Sequence, residues 1–417
     1  MAALPDLAAI VRGGLCAGCG LCESLAGVEH VEMRIASSGH IRPAIKGPIE
    51  PAIMERIHAV CPGITLRGPD AAQAGPNGTM HEVFGPIRAL HRGWATDAAT
   101  RYRSAAGGGM TALGVYLLES GKVDAIVHVR ASEEQPLLTD AVVSRTAAEV
   151  RAGSQSRYGP AAPLRHVMGL LDQGLRFAVL AKPCDVGAIR SLGRIDPRVA
   201  YQIPYLITLF CGGAPTVFTA EKVVRYHGID VDEVGVFRWR GNGWPGPTHV
   251  ETKDGRVYDL TYDYVWYTPG VPWTYDIQFR CKICPDAIGE LSDIACPDGW
   301  IMENGKPIHR EAPGQNVFIV RTETGERLLA EAVAAGAIEL APFTVPELEA
   351  MHGDHAPRKM EWPARARALA AEGELAPSYE NFRAEAIVRR NGPEADHAAE
   401  EGARRRIRKG KHKEPLS

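Results

Sequence analysis

The sequence has no run of 18 or more apolar residues, so it predicts no helix that could span a membrane. It also has no large excess of one charge, because 47 Lys and Arg residues nearly balance 50 Asp and Glu residues. The net charge of −3 therefore favours no class of partner. The first residues, MAALPDLAAIVRGG, lack the charged start and the apolar stretch of a secretory signal, so we expect a cytoplasmic protein.

The number and spacing of the cysteines are the strongest indication of function. The chain has 417 residues and nine cysteines, an odd number, and most of them fall in two short stretches. Secreted disulfide scaffolds are usually short and pair their cysteines, so this chain does not fit that class. Tight cysteine spacing in a reducing compartment indicates metal ligation instead.

The first cysteine group has the spacing of an iron–sulfur site. Cys16, Cys19 and Cys22 form C-x2-C-x2-C within LCAGCGLCE, and Cys61 follows in a Cys-Pro step. A [4Fe–4S] cluster needs four thiolates, and a triplet with one remote cysteine next to proline is typical of it. The alternative is zinc, but an all-cysteine zinc site usually consists of two C-x2-C pairs.

The second cysteine group leaves its ligand set open. Cys281 and Cys284 form C-x2-C within FRCKICPD, while Cys184 and Cys211 each follow a predicted strand. Since α/β folds place ligands at the carboxyl ends of their strands, these four could hold a second cluster. Alternatively Cys296 is the fourth ligand, and Cys184 or Cys211 is a small core residue.

A glycine-rich turn, RYRSAAGGGMT, precedes a predicted helix. Glycines at the start of a helix let backbone N–H groups approach a phosphate, with help from the helix dipole. The pattern is neither G-x-G-x-x-G nor a P-loop, and the alternative is an ordinary flexible turn. The candidate cofactor-binding residues of this turn are Arg103, Ser104, Gly107, Gly108, Gly109 and Thr111.

Two further segments could complete a cofactor site. Ser154, Ser156 and Tyr158 lie in the polar stretch GSQSRYGP and could bind phosphate or ribityl groups, although the same stretch could be a plain loop. Lys182 lies beside Cys184 and could bind an anion or tune a cluster. The alternative for Lys182 is an ordinary lysine at the end of a strand.

Apolar runs alternate with helical periodicity and predict an α/β (α+β) fold with a partly parallel, mixed sheet. A small ferredoxin-like iron–sulfur segment is expected to precede this α/β domain. Residues 230–267 look β-like, with Gly-rich and Asp-Gly turns between the pieces. The predicted modules are an N-terminal cluster segment (1–67), a linker (68–83), a cofactor and second-cluster domain (84–345), and a charged helical or disordered tail (346–417).

The end of the tail is strongly basic. Residues 404–413, RRRIRKGKHK, contain seven Lys and Arg residues. Such a run is usually a solvated, disordered end. Nucleic-acid binding is not expected, because no aromatic residues interleave the basic ones and no binding fold accompanies them.

Taken together, the motifs resemble the beta subunit family of coenzyme F420-reducing hydrogenase and dehydrogenase. The resemblance covers about residues 15–339 and rests on C-x2-C-x2-C, RSAAGGGMTAL, KPCDVGAIRSL, LFCGG, CKICPD and VFIVRTETGERLL, in that order. It implies FAD held by the glycine-rich turn and a [4Fe–4S] cluster held by Cys184, Cys211, Cys281 and Cys284. Members with an added N-terminal cluster segment include ferredoxin-dependent reductases of chlorophyll metabolism, 7-hydroxymethyl chlorophyll a reductase and one type of divinyl chlorophyllide 8-vinyl reductase.

Three hypotheses on function follow. The first is an oxidoreductase that passes electrons from ferredoxin or a similar carrier through two [4Fe–4S] clusters and FAD to a small-molecule substrate. The second is a non-catalytic electron-transfer beta subunit that connects a hydrogenase or formate dehydrogenase to a soluble carrier, for which coenzyme F420 is one candidate. The third is a zinc-stabilised interaction protein. The sequence does not identify the substrate or the direction of electron flow, and a homo-oligomer is compatible with it.

Overall fold

The computed structural model describes residues 4–273, 276–352 and 355–416. Its first part combines short helices with a two-stranded antiparallel sheet of β1 and β2. In chain order the elements are α1 (Leu7–Arg12), α2 (Leu21–Ala26), β1 (Val31–Ile35), β2 (Ile41–Ile45), α3 (Pro51–Val60) and β3 (Thr65–Arg67).

The middle part alternates strands and helices, as the apolar runs predict. Short 3-10 turns lie at Ala71–Ala74, Pro163–His166 and Val231–Glu233. The elements are β4 (Thr79–His81), β5 (Gly85–Ile87), β6 (Ala89–Ala95), α4 (Ala98–Arg103), α5 (Gly109–Glu119), β7 (Ala125–Ala131), β8 (Thr139–Ser144), α6 (Ala147–Ala152), α7 (Val167–Asp172), β9 (Phe177–Leu180), α8 (Pro183–Leu192), α9 (Arg198–Gln202), β10 (Tyr205–Thr208) and α10 (Val217–Tyr226). They continue with β11 (Val234–Arg238), β12 (Thr248–Thr252), β13 (Val257–Leu260), α11 (Tyr262–Tyr267), α12 (Phe279–Lys282), β14 (Ile294–Ala295), β15 (Ile301–Glu303), β16 (Lys306–Ile308), β17 (Asn316–Val320), α13 (Glu323–Ala334) and β18 (Ile338–Pro342).

An eight-stranded mixed sheet organises this middle part, in the order β18-β6-β17-β14-β10-β9-β7-β8. β7, β9, β10 and β14 run parallel to one another in the centre, and the other pairings are antiparallel. The parallel strands are continuous apolar runs because both faces of the sheet are covered. Their shared carboxyl edge carries the loops after β9 and β10, so the mixed α/β fold expected from the sequence is confirmed.

A three-stranded antiparallel sheet of β11, β12 and β13 lies over this framework. The expectation of a strand through YDYVWY is wrong, because Tyr262–Tyr267 is helical. Thr261 caps this helix by accepting a hydrogen bond from the Tyr264 N–H at 3.3 Å. Thr261 stops the strand because its side chain satisfies a backbone donor that the sheet would otherwise use.

The C-terminal part is ordered and packed, unlike the expected disordered end. It consists of α14 (Val345–Met351), α15 (His355–Ala371), β19 (Ser378–Glu380), α16 (Ala384–Asn391) and α17 (Pro393–Arg408). β19 pairs in parallel with β3, and Glu372 accepts hydrogen bonds from Arg404 and Arg408. The basic run is held in place because glutamates that follow α15 neutralise part of its charge. No helix in the described part of the chain has the length and apolar character needed to cross a membrane.

Candidate functional site

The second group of cysteines converges at the carboxyl edge of the central sheet. Cys184 lies at the start of α8, just after β9, and Cys211 lies just after β10. Because β9 and β10 are adjacent and parallel, their following loops meet. Cys281 in α12 and Cys284 just beyond it close the group, and all four cysteines line one cavity. We call these four the second quartet.

Two hydrogen-bond donors contact a sulfur of the second quartet. The Ala214 N–H and the Gln278 side-chain amide each donate a hydrogen bond to Cys281 Sγ at 3.4 Å. Burial raises the pKa of the Cys184 thiol and that of Cys284. Neutral thiols are therefore favoured in the absence of a positive group, and thiolates form when a metal centre compensates the cost of burial.

The first group of cysteines forms a similar arrangement in the N-terminal part. Cys16, Cys19 and Cys22 surround the start of α2, while Cys61 caps the C-terminus of α3. All four line one cavity, and we call them the first quartet. Burial raises the pKa of the Cys22 thiol well above its usual value and that of Cys61 to about 11. In the described ranges no three Cys, His, Asp or Glu side chains converge closely enough for a single metal ion, and each quartet instead surrounds a cavity.

Gly20 shows why the C-x2-C-x2-C loop has a glycine between its second and third cysteines. Gly20 has a φ of 89°, in the left-handed region, and N-caps α2. A Cβ at this position would lie 3.0 Å from the Ala162 carbonyl oxygen. The loop can therefore turn tightly between Cys19 and Cys22 while lying against the neighbouring segment.

A third and larger cavity, of about 230 Å³, lies beside the second quartet. The glycine-rich turn forms one wall, and the segment GSQSRYGP forms another. Eight of the ten residues predicted from the sequence to bind the cofactor line this cavity, namely Ser104, Gly108, Gly109, Thr111, Ser154, Ser156, Tyr158 and Lys182. The structure thus brings together three segments that are far apart in the sequence.

The other two predicted residues do not line the cavity. Arg103 is exposed, and its carbonyl oxygen accepts a hydrogen bond from the Asn242 N–H at 3.4 Å. The Gly107 carbonyl accepts a hydrogen bond from the Ala95 N–H at 2.7 Å, and a Cβ at Gly107 would lie 2.7 Å from the Asn316 nitrogen. Both residues shape the turn through their backbone, which contacts the segments around it.

The large cavity is lined by residues with buried polar atoms that lack a hydrogen-bond partner in the described part of the chain. Ser154 Oγ is buried and has no hydrogen-bond partner among the described residues. Asp185 Oδ1 is also buried without a hydrogen-bond partner among these residues, whereas Asp185 Oδ2 pairs with Lys182 Nζ at 2.8 Å. Since buried polar groups normally find partners, a polar ligand fits this cavity. The start of α5 adds backbone N–H groups that have no acceptor within the helix itself.

Two residues that the sequence analysis missed hold the cavity in shape. Asn316 Oδ1 accepts a hydrogen bond from the Gly109 N–H at 2.9 Å, and its amide donates to the carbonyls of Cys296 and Pro297 at 3.1 Å. Arg240 is buried and donates to the Ala105 carbonyl at 2.6 Å. A single asparagine at the start of a strand gives no sequence signal of this role.

Arg240 also places a charge pair at the cavity wall. Its guanidinium donates to Asp298 at 2.8 and 3.1 Å and lies over the rings of Tyr262 and Trp300. Tyr262 and Trp300 therefore help to position this arginine. Arg157 behaves differently, since it donates to the carbonyls of three residues, Phe237, Pro136 and Leu138.

Cys296 lies outside both quartets. It is buried, lines the large cavity, and donates its N–H to the Thr208 carbonyl at 2.8 Å. Burial raises the pKa of its thiol, with no contribution from another cysteine. The structure thus groups Cys184 and Cys211 with the C-x2-C pair and leaves Cys296 beside the glycine-rich turn.

Neighbouring cavities share lining residues. Ala17 lines both the first and the second quartet's cavities. Cys211 and Lys182 line both the second quartet's cavity and the large one. Each site is therefore separated from the next by side chains that the two sites share.

The comparisons with known proteins identify both halves of the middle part. Residues 90–168 match the family model for the N-terminal part of the coenzyme F420 hydrogenase/dehydrogenase beta subunit, and residues 174–345 match the model for its C-terminal part. Coenzyme F420-dependent sulfite reductase of Methanocaldococcus jannaschii is 27% identical over 237 residues, which cover 53% of this chain and 34% of that protein. Coenzyme F420 hydrogenase subunit beta of Methanothermobacter thermautotrophicus is 23% identical, over 63% of this chain and 86% of that subunit.

A solved structure has the same fold. A chain of the F420-reducing [NiFe] hydrogenase complex from Methanosarcina barkeri superposes with a TM-score of 0.53 and 19% sequence identity, covering 70% of this chain and 96% of that one. The matched region spans only about a third of the sulfite reductase, so the similarity to that protein concerns one part of it.

Proposed function

Because the chain belongs to the coenzyme F420 hydrogenase/dehydrogenase beta subunit family, we propose that it is an electron-transfer module of an oxidoreductase, which exchanges electrons with coenzyme F420 or a similar two-electron carrier. The relatives named as beta subunits favour this over an enzyme that acts alone, which is the first of the hypotheses drawn from the sequence. The observation that carries the proposal is that the two quartets and the large cavity adjoin through shared lining residues.

The residues present fit two iron–sulfur clusters. We assign one [4Fe–4S] cluster to the first quartet and another to the second, because each supplies four thiols around a cavity. The amide and backbone donors to Cys281 Sγ would stabilise negative charge on a ligand sulfur. A zinc-stabilised interaction protein is less well supported, since that hypothesis does not account for the large cavity beside the second quartet.

The residues of the large cavity fit a flavin nucleotide. We assign FAD to this cavity, with the N-terminus of α5 and the turn before it facing the phosphates. Ser154 Oγ, which has no partner in the described chain, would donate to or accept from the bound nucleotide. Flavin and clusters, when bound, supply the conversion between two-electron and one-electron transfer.

In this proposal, three side chains position the cofactor sites and set the charge beside them. Lys182, paired with Asp185, stands between the second quartet and the large cavity and places a positive charge beside both. Arg240 and Asn316 fix the glycine-rich turn against the sheet. These contacts hold the sites close together.

The test is the content of iron, acid-labile sulfide and flavin per chain, measured on protein purified without oxygen. We expect about eight irons, two cubanes' worth, and one FAD. Mixing the protein with reduced coenzyme F420, NADPH or reduced ferredoxin in a stopped-flow instrument then identifies the carrier, and reduced F420 is expected to bleach the flavin fastest. Zinc without flavin, or no reaction with any of these carriers, would contradict the proposal.

A further inference from the structure

The segment that carries Cys281 also reaches the first quartet. Gln278 immediately precedes α12, and Arg280 lies next to Cys281 within that helix. The Gln278 side-chain amide donates to the Ala17 carbonyl at 3.4 Å, and Ala17 lines the cavities of both quartets. The boundary between the quartets is therefore built partly from the residues just before Cys281.

Arg280 makes a second contact across this boundary. Its guanidinium donates two hydrogen bonds to the Pro62 carbonyl, at 3.1 Å from Nε and 2.7 Å from Nη2. Pro62 follows Cys61 and lines the cavity of the first quartet, whereas Arg280 lines the cavity of the second. The ring of Tyr379 lies against the guanidinium, with its centroid 5.1 Å from Cζ. These contacts fix the guanidinium between the two quartets.

The charge of Arg280 is not balanced by a carboxylate. Arg280 is only 2% exposed, and no Asp or Glu within the described ranges forms an ion pair with it. The buried Arg42, by contrast, pairs with Glu414 at 2.7 Å. Buried charges are normally paired or bound to a metal centre, because removing them from water is costly. The position of Arg280 therefore calls for an anionic group that the carboxylates do not supply.

The other charged residues that line the cavity of the second quartet differ from Arg280. Lys182 is neutralised by Asp185 at 2.8 Å. Arg358 is only half-buried, so water screens its charge. Asp286 is buried, and its Oδ1 accepts a backbone N–H at 2.7 Å instead of pairing with Arg280. Arg280 is thus a fully desolvated positive charge that faces the four thiols.

Building on the proposed function, we propose that Arg280 supplies the positive charge that balances a [4Fe–4S] cluster at the second quartet and raises its reduction potential. A cubane with four thiolate ligands is anionic and becomes more negative on reduction, so a fixed cation beside it favours the reduced form. The effect is strong because water does not screen a buried charge. Arg280 does not line the cavity of the first quartet, so the potential of the cluster there should respond less.

The test is a reductive titration of the full chain, purified without oxygen and followed by electron paramagnetic resonance. The Cys16→Ser background keeps the cluster of the second quartet alone, so its potential can be measured without overlap. In that background we expect Arg280→Gln to shift the reduction equilibrium at least about tenfold towards the oxidised cluster, which is about 59 mV for one electron. Arg280→Lys keeps the charge, so its equilibrium should stay within about twofold of the unmodified side chain.

The matched control is Arg321→Gln. Arg321 is fully buried and, like Arg280, donates to backbone carbonyls, including those of Pro86 at 2.9 Å and Ile288 at 2.7 Å. It lines none of the three cavities, so its replacement disturbs the interior without removing a charge from the quartets. The reduction equilibrium of this variant should stay within about twofold of that of the parent protein.

Three results would overturn the proposal: an unchanged potential in Arg280→Gln, an equal fall in Arg280→Lys, or an equal fall in Arg321→Gln. Loss of the cluster from Arg280→Gln alone would support it, because the charge is then needed to hold the cluster. Loss from Arg280→Lys or from the control as well would overturn it. Fewer than about eight irons in the unmodified chain would instead contradict the proposed function, and that result does not depend on any Arg280 variant.

Discussion

Glu414 holds the guanidinium of Arg42 through two hydrogen bonds of 2.7 Å, although 372 positions separate the two residues in the sequence. Arg42 also donates to the Gln278 side-chain oxygen at 3.0 Å. The Gln278 amide in turn donates to the Ala17 carbonyl and to Cys281 Sγ at 3.4 Å. The C-terminal segment is thereby tied to the loop that separates the two quartets.

Removing this carboxylate should destabilise the protein. Arg42 is only 3% exposed, so Glu414→Ala would leave a buried guanidinium without its partner. We expect the free energy of unfolding to fall by about 3 kcal/mol, the usual cost of breaking a buried pair. Urea unfolding followed by circular dichroism measures it. Lys413→Ala, which breaks an exposed pair, should cost less than about 1 kcal/mol, and an equal loss in both variants would contradict this role.

The two quartets should lose their clusters independently. Cys16→Ser removes a ligand of the first quartet and Cys284→Ser one of the second, so each should reduce the iron content from about eight to about four per chain. Cys296→Ala is the matched control, since Cys296 lines the large cavity and should leave the iron unchanged. Loss of iron in Cys296→Ala would show that the ligand sets are wrongly assigned.

Asn316 should affect flavin binding through its contacts with the glycine-rich turn. Asn316→Ala removes the acceptor of the Gly109 N–H and a donor to the Cys296 carbonyl, while the Pro297 carbonyl keeps the Val317 N–H at 3.0 Å, so the glycine-rich turn loses its fixed position. We expect flavin affinity to fall about tenfold or more, in line with the roughly 1–3 kcal/mol that an unsatisfied buried group costs. Flavin released on denaturation of the reconstituted protein measures it. The exposed Gln135→Ala should retain full flavin.

His128 should make stability depend on pH. Burial lowers the pKa of His128 to about 4 from the 6.5 of a free imidazole, and its ring contacts Ser144 Oγ at 2.7 Å. Between these values the unfolded chain binds a proton that the folded chain excludes, so stability is complete above pH 6.5 and falls towards pH 4. The loss on going from neutral pH to below pH 4 amounts to about 3 kcal/mol.

His128→Gln should therefore flatten the acid side of the stability profile. Thermal unfolding midpoints at neutral and mildly acidic pH give the comparison. His40 and His352 also have pKa values lowered by burial, to about 4 and about 3, so part of the pH dependence should persist in the variant. A profile identical to that of the unmodified protein would contradict the role of His128.

The sequence predicts those parts of the site whose chemistry depends on spacing. The C-x2-C-x2-C run and the C-x2-C pair are local, so their grouping can be predicted before any fold is known. The strand FAVL is a continuous apolar run and lies where expected, as β9. Cys184 and Cys211 could be placed together only because adjacent parallel strands end at one edge.

What the sequence does not predict depends on contacts between distant segments. Arg240 and Asn316 are single polar residues, and nothing near them in the chain marks them as partners of the glycine-rich turn. Residues 404–413 look disordered because their local charge is high, yet Glu372 and Glu374 come from another segment and offset it. Tyr262–Tyr267 has strand-forming residues, and the cap at Thr261 overrides that preference.

The pairing of β3 with β19 has a consequence for how the molecule opens. These strands bring residues 65–67 and 378–380 side by side, so an early and a late segment of the chain belong to one structural unit. In amide hydrogen exchange such a unit opens cooperatively, and its two strands should deuterate at the same rate. Cleavage in either strand would then expose both, and with them Cys61 of the first quartet, whose carbonyl accepts a hydrogen bond from the Thr65 N–H at 3.0 Å.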